Sequence, residues 1–244
     1  MNYSFVFPLG AGEIQARRAS ILRLLREMDP GFRALSVKSV NPDTLKAMMD
    51  AYDRLFFSGY LRKRYPNLPV TLSLRMTSAA GKFIYPRRQP PAQILMGEIR
   101  MSADFLFRLR TGPFNLNGLT AETPQEAFLM VFEHELIHAA EYALYGATSH
   151  SSRFLYLAGG LFGHTSIYHQ LPTRAQEASE MGIIPGMRVR FLCQDKLLEG
   201  RVQRIGKSAT VMVPDFLGDY TDSRGRCYSK YRVPLTKLLI VSKN

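Results

Sequence analysis

Apolar and polar positions repeat along this chain with two periods, and the change from one to the other marks its parts. From Glu13 to Met28, Ile14, Ile21, Leu25 and Met28 keep helical spacing with Arg17, Arg18 and Arg23 between them, and Asp29-Pro30-Gly31 ends the pattern. Asn41 as N-cap and Pro42 in the first turn open a second helix, which runs through Leu45, Met48, Tyr52 and Phe56 to Gly59. Alternation over Val70 to Met76, around Phe83 to Tyr85 and from Ile94 to Met101 predicts three strands. Thr123-Pro124-Gln125-Glu126 is a capping box, so a helix starts there; it is apolar on nearly all sides from Ala127 to Ala143, hence buried, and Gly146 lets it end. A further helix is expected from Ser151 or Ser152 to Gly163, then a helical connector from Leu171 to Met181. After Gly182 the period becomes two: Met187–Leu192, Leu198–Ile205, Ala209–Val213, Tyr228–Val233 and Leu238–Val241 read as five short strands of a small, bent β-barrel. The fold class is α+β, with residues 1–40 as a helical extension, 41–181 as the main domain and 182–244 as a small basic barrel.

Composition adds charge to this picture. Of the 244 residues, 32 are Lys or Arg against 20 Asp or Glu, a net charge of +12, which favours a polyanionic partner. Residues 182–244 hold 12 of the cations and 5 of the anions, a surplus of +7. No apolar run approaches the roughly 18 residues a membrane span requires, and MNYSFVFPLG lacks the features of a secretion signal. Two cysteines, Cys193 and Cys227, make neither a disulfide framework nor a paired-cysteine zinc ribbon. The expectation is a cytoplasmic protein with no membrane association.

All five histidines fall between positions 134 and 169. His134-Glu135-Leu136-Ile137-His138 lies inside the buried helix, where residues four apart share a face and both imidazoles can reach one ion. Glu135, offset by one residue, falls beside the ion's open position and can take a proton from water. Such groups cost several kcal/mol to bury without partners, and zinc (Zn2+) is the expected one. Glu141 shares the face but lies about 10 Å from His134 along a straight helix, too far to join an ion bound at about 2 Å, so it supports the site from outside or is a solvated charge. His150 follows the Gly146 turn and can fold back to complete the site. His164, just past Gly163, is expected to meet the last helix carbonyls, and His169 lies in the connector. The predicted metal ligands are therefore His134, His138 and His150, with Glu135 as catalytic base. Tyr142, Tyr145 and Tyr168 are candidate oxyanion donors, and the strand from Ile94 to Met101 is a candidate edge for an extended substrate. Arg17-Arg18, Arg62-Lys63-Arg64 and Arg87-Arg88 read as solvated surface.

Over roughly residues 45–170 the chain resembles the SprT-like zinc metalloproteases, which include the Spartan proteases acting on DNA-bound proteins. The likeness rests on Tyr52-Asp53-Arg54-Leu55-Phe56-Phe57, the segment from Leu74 to Gly81, Glu98-Ile99-Arg100-Met101-Ser102, the HELIH core, Ser149-His150-Ser151-Ser152-Arg153-Phe154 and Leu161-Phe162-Gly163-His164-Thr165. It implies a zincin-like domain and maps the family's ligand positions onto His134, His138 and His150, with Glu135 as base; Ser149 and Ser151 stand where the family usually has Gly. The segment after Gly186 is similar to Tudor or KOW barrels appended to some bacterial relatives, and Arg with Phe191, Tyr228 and Tyr231 suits DNA or RNA. The expected activity is zinc-dependent cleavage of nucleic-acid-associated proteins. The rivals are a nucleic-acid-binding adaptor with structural zinc and a zinc hydrolase acting on a non-peptide bond.

Overall fold

The computed structural model describes residues 5–34, 40–86, 94–109, 112–168, 171 and 174–241. The chain forms two compact units, Met1–Leu171 and Pro172–Asn244. The first contains, in order, α1 (Ala11–Met28), α2 (Pro30–Ala34), α3 (Pro42–Phe57), α4 (Tyr60–Arg64), β1 (Val70–Ser73), β2 (Gly81–Ile84), β3 (Glu98–Ser102), α5 (Ala103–Leu106), β4 (Phe114–Leu116), β5 (Leu119–Ala121), α6 (Pro124–Tyr145) and α7 (Ser152–Phe162). Asn41 caps α3 by accepting from the Asp43 N–H at 2.9 Å. The capping box of α6 closes in both directions: Thr123 Oγ1 accepts from the Glu126 N–H, and the Glu126 carboxylate accepts from the N–H of Thr123.

α6 is surrounded by α1, α4, α7, the sheet and the β4–β5 hairpin, which is why a helix with apolar residues on every side is stable here. Ile14, Ile21 and Leu25 of α1 and Phe32 of α2 belong to the same core as Phe128, Phe132 and Phe162. Arg18 corrects the solvated-surface reading of Arg17-Arg18, because it is drawn inward by a carboxylate that α6 buries. Its guanidinium grips Glu133 with two 2.8 Å hydrogen bonds, and Tyr52 Oη and His164 Nε2 donate to the same carboxylate at 2.8 and 3.0 Å. Burial alone would push the Glu133 carboxyl up, but the charge and hydrogen bonds of Arg18 and His164 hold it below the usual carboxylate range. His164 thus takes a structural place, with its ring on Glu133 rather than on helix carbonyls.

The sheet order is β1-β3-β2, with β1 parallel and β2 antiparallel to β3. This overturns the edge assignment: the strand expected over Ile94–Met101 is Glu98–Ser102 and lies in the centre, because β1 inserts on one flank and β2 on the other. Among the described residues, the free edges belong to β1 and β2. The first strand also stops at Ser73, before the exposed Leu74. The β4–β5 hairpin was not anticipated; it turns at Asn117-Gly118, both with positive φ (54° and 79°), the geometry this pair adopts most readily.

The second unit holds α8 (Arg174–Glu180) and an antiparallel sheet of β6 (Arg188–Cys193), β7 (Lys196–Ile205), β8 (Ala209–Pro214), β9 (Tyr220–Thr221), β10 (Cys227–Val233) and β11 (Leu239–Ile240), in the order β11-β6-β7-β8-β10-β9. Val189, Phe191, Val202, Val211 and Val233 fill its core, and a bulge between Val202 and Arg204 bends β7. Phe191 is 2% exposed and serves the core rather than base stacking, with the half-buried Tyr231 ring packed on it at 5.4 Å. No described helix is long and apolar enough to cross a membrane. Arg87, Arg88 and His169 lie outside the described residues.

Candidate metal centre

His134 and His138 stand on one face of α6 because they are one turn apart. Gly146, in the left-handed conformation at φ 71°, ends the helix and returns the chain, so that residues 148–151 run back along it. His150 is thereby delivered between the two: its Nε2 lies 2.9 Å from His134 Nε2 and 3.1 Å from His138 Nε2. The three ligand atoms fall within 4.8 Å of one another, and the cluster can hold a metal ion. A tetrahedral ion with bonds of about 2.0–2.1 Å sets its nitrogens about 3.3 Å apart, so the donor set suits such an ion with little movement. His134 is buried, His138 half-buried and His150 exposed, which leaves one side open to solvent.

The hydrogen-bond partners point the same nitrogens inward. His134 Nδ1–H donates to Asn117 Oδ1 at 3.2 Å, and that amide is oriented by its own Nδ2 donating to the Met130 carbonyl at 3.0 Å. His138 Nδ1–H donates to Thr148 Oγ1 at 2.7 Å, and the Thr148 hydroxyl donates onward to Glu141 Oε2 at 2.8 Å. Each ring keeps the Nε2 lone pair for the cluster's centre, as outer partners of metal-binding histidines require. Glu141, fully buried, also accepts from the Ser149 N–H at 3.0 Å and from Ser151 Oγ at 3.5 Å. It supports the site from outside by fixing the loop that carries His150. Phe154 of α7 lies under all three imidazoles, with ring centroids 4.6–5.1 Å away. Burial and the neighbouring His150 lower the His138 pKa to about 4, so this ring is neutral and ready to ligate at neutral pH.

Glu135 is 4% exposed and sits against β2. Burial pushes its pKa up to about 8, against a hydrogen bond from the Phe83 backbone and the charge of Lys82. A divalent cation beside it would favour the ionised form. Gly81 faces the carboxylate so closely that a Cβ there would lie 2.7 Å from Glu135 Cγ and Oε1. Among the tyrosines, Tyr142 is buried against Tyr85 at 4.3 Å, and Tyr145 lies under the Arg153 guanidinium at 4.7 Å. Tyr168 is 73% exposed, and its carbonyl accepts from the N–H of Asn117, the residue that holds His134. Asn117 and Thr148 were missed by sequence reasoning; only the Asn-Gly turn signal could have drawn attention to the first.

No curated protein matches the chain. The model of the SprT-like family matches residues 45–169, just over half of the chain and a span that includes the whole histidine cluster, Glu135, Asn117, Thr148 and Glu141. The chain belongs to the SprT-like family and carries its zincin-like, metalloprotease-type domain.

Proposed function

We propose that the protein is a zinc-dependent endopeptidase of nucleic-acid-associated proteins, with His134, His138 and His150 as the metal ligands and Glu135 as the catalytic base. The carrying observation is the convergence of three imidazole nitrogens, each inner ring oriented by its own acceptor, beside a buried carboxylate at a free sheet edge. Bound there, zinc supplies a Lewis acid that makes water acidic enough to react at neutral pH. An extended peptide adding to the free edge of β2 would be carried past Glu135. Glu135 accepts the proton of the attacking water and returns it to the departing amine. Tyr168, exposed and tied through Asn117 to His134, is our candidate for stabilising the oxyanion. The +7 surplus on residues 182–244 supports a nucleic-acid-facing role for the second unit, forming a small barrel-like module.

Glu135→Gln keeps the side-chain size and removes the base: metal content should persist while cleavage of an unstructured protein such as casein falls about 100-fold or more. His150→Ala should lose the metal as well. Full turnover by Glu135→Gln would remove this residue from the mechanism, whereas a metal-loaded parent protein that cleaves nothing would favour a structural zinc in a binding protein.

A further inference from the structure

The outer face of the second unit's sheet carries cations in rows set by its register. Arg188 on β6 stands opposite Arg201 on β7, Arg201 opposite Met212 on β8, and Met212 opposite Lys230 on β10. In the next row Arg204, Thr210 and Arg232 align in the same way. Arg188 shares Glu199 with Arg190, whereas Arg201, Arg204, Lys230 and Arg232 pair with no carboxylate among the described residues. At the far side of these rows Tyr228 is opposite Tyr220, and the Lys230 ammonium stands 4.1 Å over the Tyr220 ring. Between them is a hollow of about 420 Å³ lined by Arg201, Gln203, Met212, Tyr220, Asp222 and Tyr228. That volume is in the range of small-ligand sites. Asp222 does not make it anionic, because its carboxylate is engaged by Arg226 at 2.7 Å and by Tyr228 Oη at 3.1 Å, a bond that also fixes the Tyr228 ring.

We propose that this hollow binds a nucleotide of a single-stranded nucleic acid, its base against Tyr220 and Tyr228 and the neighbouring phosphates on the cation rows. The inference rests on the nucleic-acid reading above and names its site. An aromatic wall accepts any base, since each has a π-face, and guanidinium and ammonium groups with no carboxylate partner among the described residues can track a backbone of phosphates, although Arg201 also donates to the Gly186 carbonyl at 3.0 Å. A duplex satisfies the cations but keeps its base faces stacked internally, out of reach of the tyrosines. Phe191 and Tyr231 face the core side of the sheet, Tyr231 opposite the buried Val211, and take no part.

The test uses the full-length protein, a fluorescein-labelled 15-residue oligothymidylate and a duplex of the same length, titrated by fluorescence anisotropy over a range of salt. The single strand should bind more tightly than the duplex. Tyr220→Ala should weaken it about tenfold with the salt slope unchanged, while Tyr220→Phe, which keeps the ring, should bind as the parent does. Arg201→Ala should weaken binding and lower the slope of log affinity against log salt by about 0.7, one phosphate's share. Thermal transitions of the variants check that each is folded. Parental affinity in both Tyr220→Ala and Arg201→Ala would overturn the hollow while leaving nucleic-acid binding intact; equal affinity for the duplex would overturn the single-strand assignment. Absence of binding at low salt would remove both this site and the nucleic-acid reading.

Discussion

A methyl group at position 81 would stand 2.7 Å from two atoms of Glu135, inside any permitted contact. Glycine at 81 thus lets the edge strand and the base sit this close without either giving way. Gly81→Ala should displace the carboxylate by a fraction of an ångström or more and lower peptide cleavage by up to about 100-fold, with the metal stoichiometry unaltered. Metal analysis beside a casein assay decides it, and an undiminished rate would show that Glu135 tolerates the displacement. The histidines were legible in the sequence because their relation is local: a helical repeat places His134 beside His138, and Gly146 returns the chain to His150. Asn117 and Thr148 were not, since each meets its ring through contacts that no spacing encodes. Phe191 was misjudged although its alternation with Arg188 and Arg190 already put it on the face of Val189.

At the scale of elements, α1 is fastened to α6 by Arg18 and Glu133, whose carboxylate has no solvent exposure. Removing one member of such a pair strands the other, at a cost of about 3–5 kcal/mol. Arg18→Ala should accordingly lower the midpoint of thermal unfolding by roughly 10 °C. Acid should expose the same contact. The Glu133 carboxyl is held below its ordinary 4.5, and that of Asp29, whose hydrogen bonds from Asn41, Thr44 and Gly31 outweigh its burial, below 3.8. Depressed carboxylates contribute stability that is complete above the unfolded-state values and is lost as pH falls through the folded-state ones. The intact protein should thus lose this contribution only below about pH 4.5, and Arg18→Ala, which lets the Glu133 value rise, should unfold at a higher pH. Circular dichroism measures both; coincident acid and thermal transitions would deny the ion pair any energetic role. Helix limits were legible from caps, which are local. The sheet order was not, because β1 pairs in parallel with β3 across the intervening β2, and periodicity says nothing about which strand is central.

The whole molecule consists of two units with separate cores, and only the first contains the histidine cluster. Removing residues 172–244 should leave one metal per chain and cleavage of unstructured protein, while abolishing affinity for oligothymidylate. Loss of metal from the shortened chain, seen by elemental analysis, would contradict that division. The grip of Arg18 on Glu133 spans 115 residues, and synthesis runs in one direction. A growing chain presents Arg18 to solvent long before its carboxylate partner is made, and it produces the HELIH segment before His150 and His164. Until those arrive, a nascent or prematurely terminated chain carries the hydrolytic motif without an assembled centre. On the proposed ligand assignment, the metal centre cannot assemble until the chain has been made as far as His150.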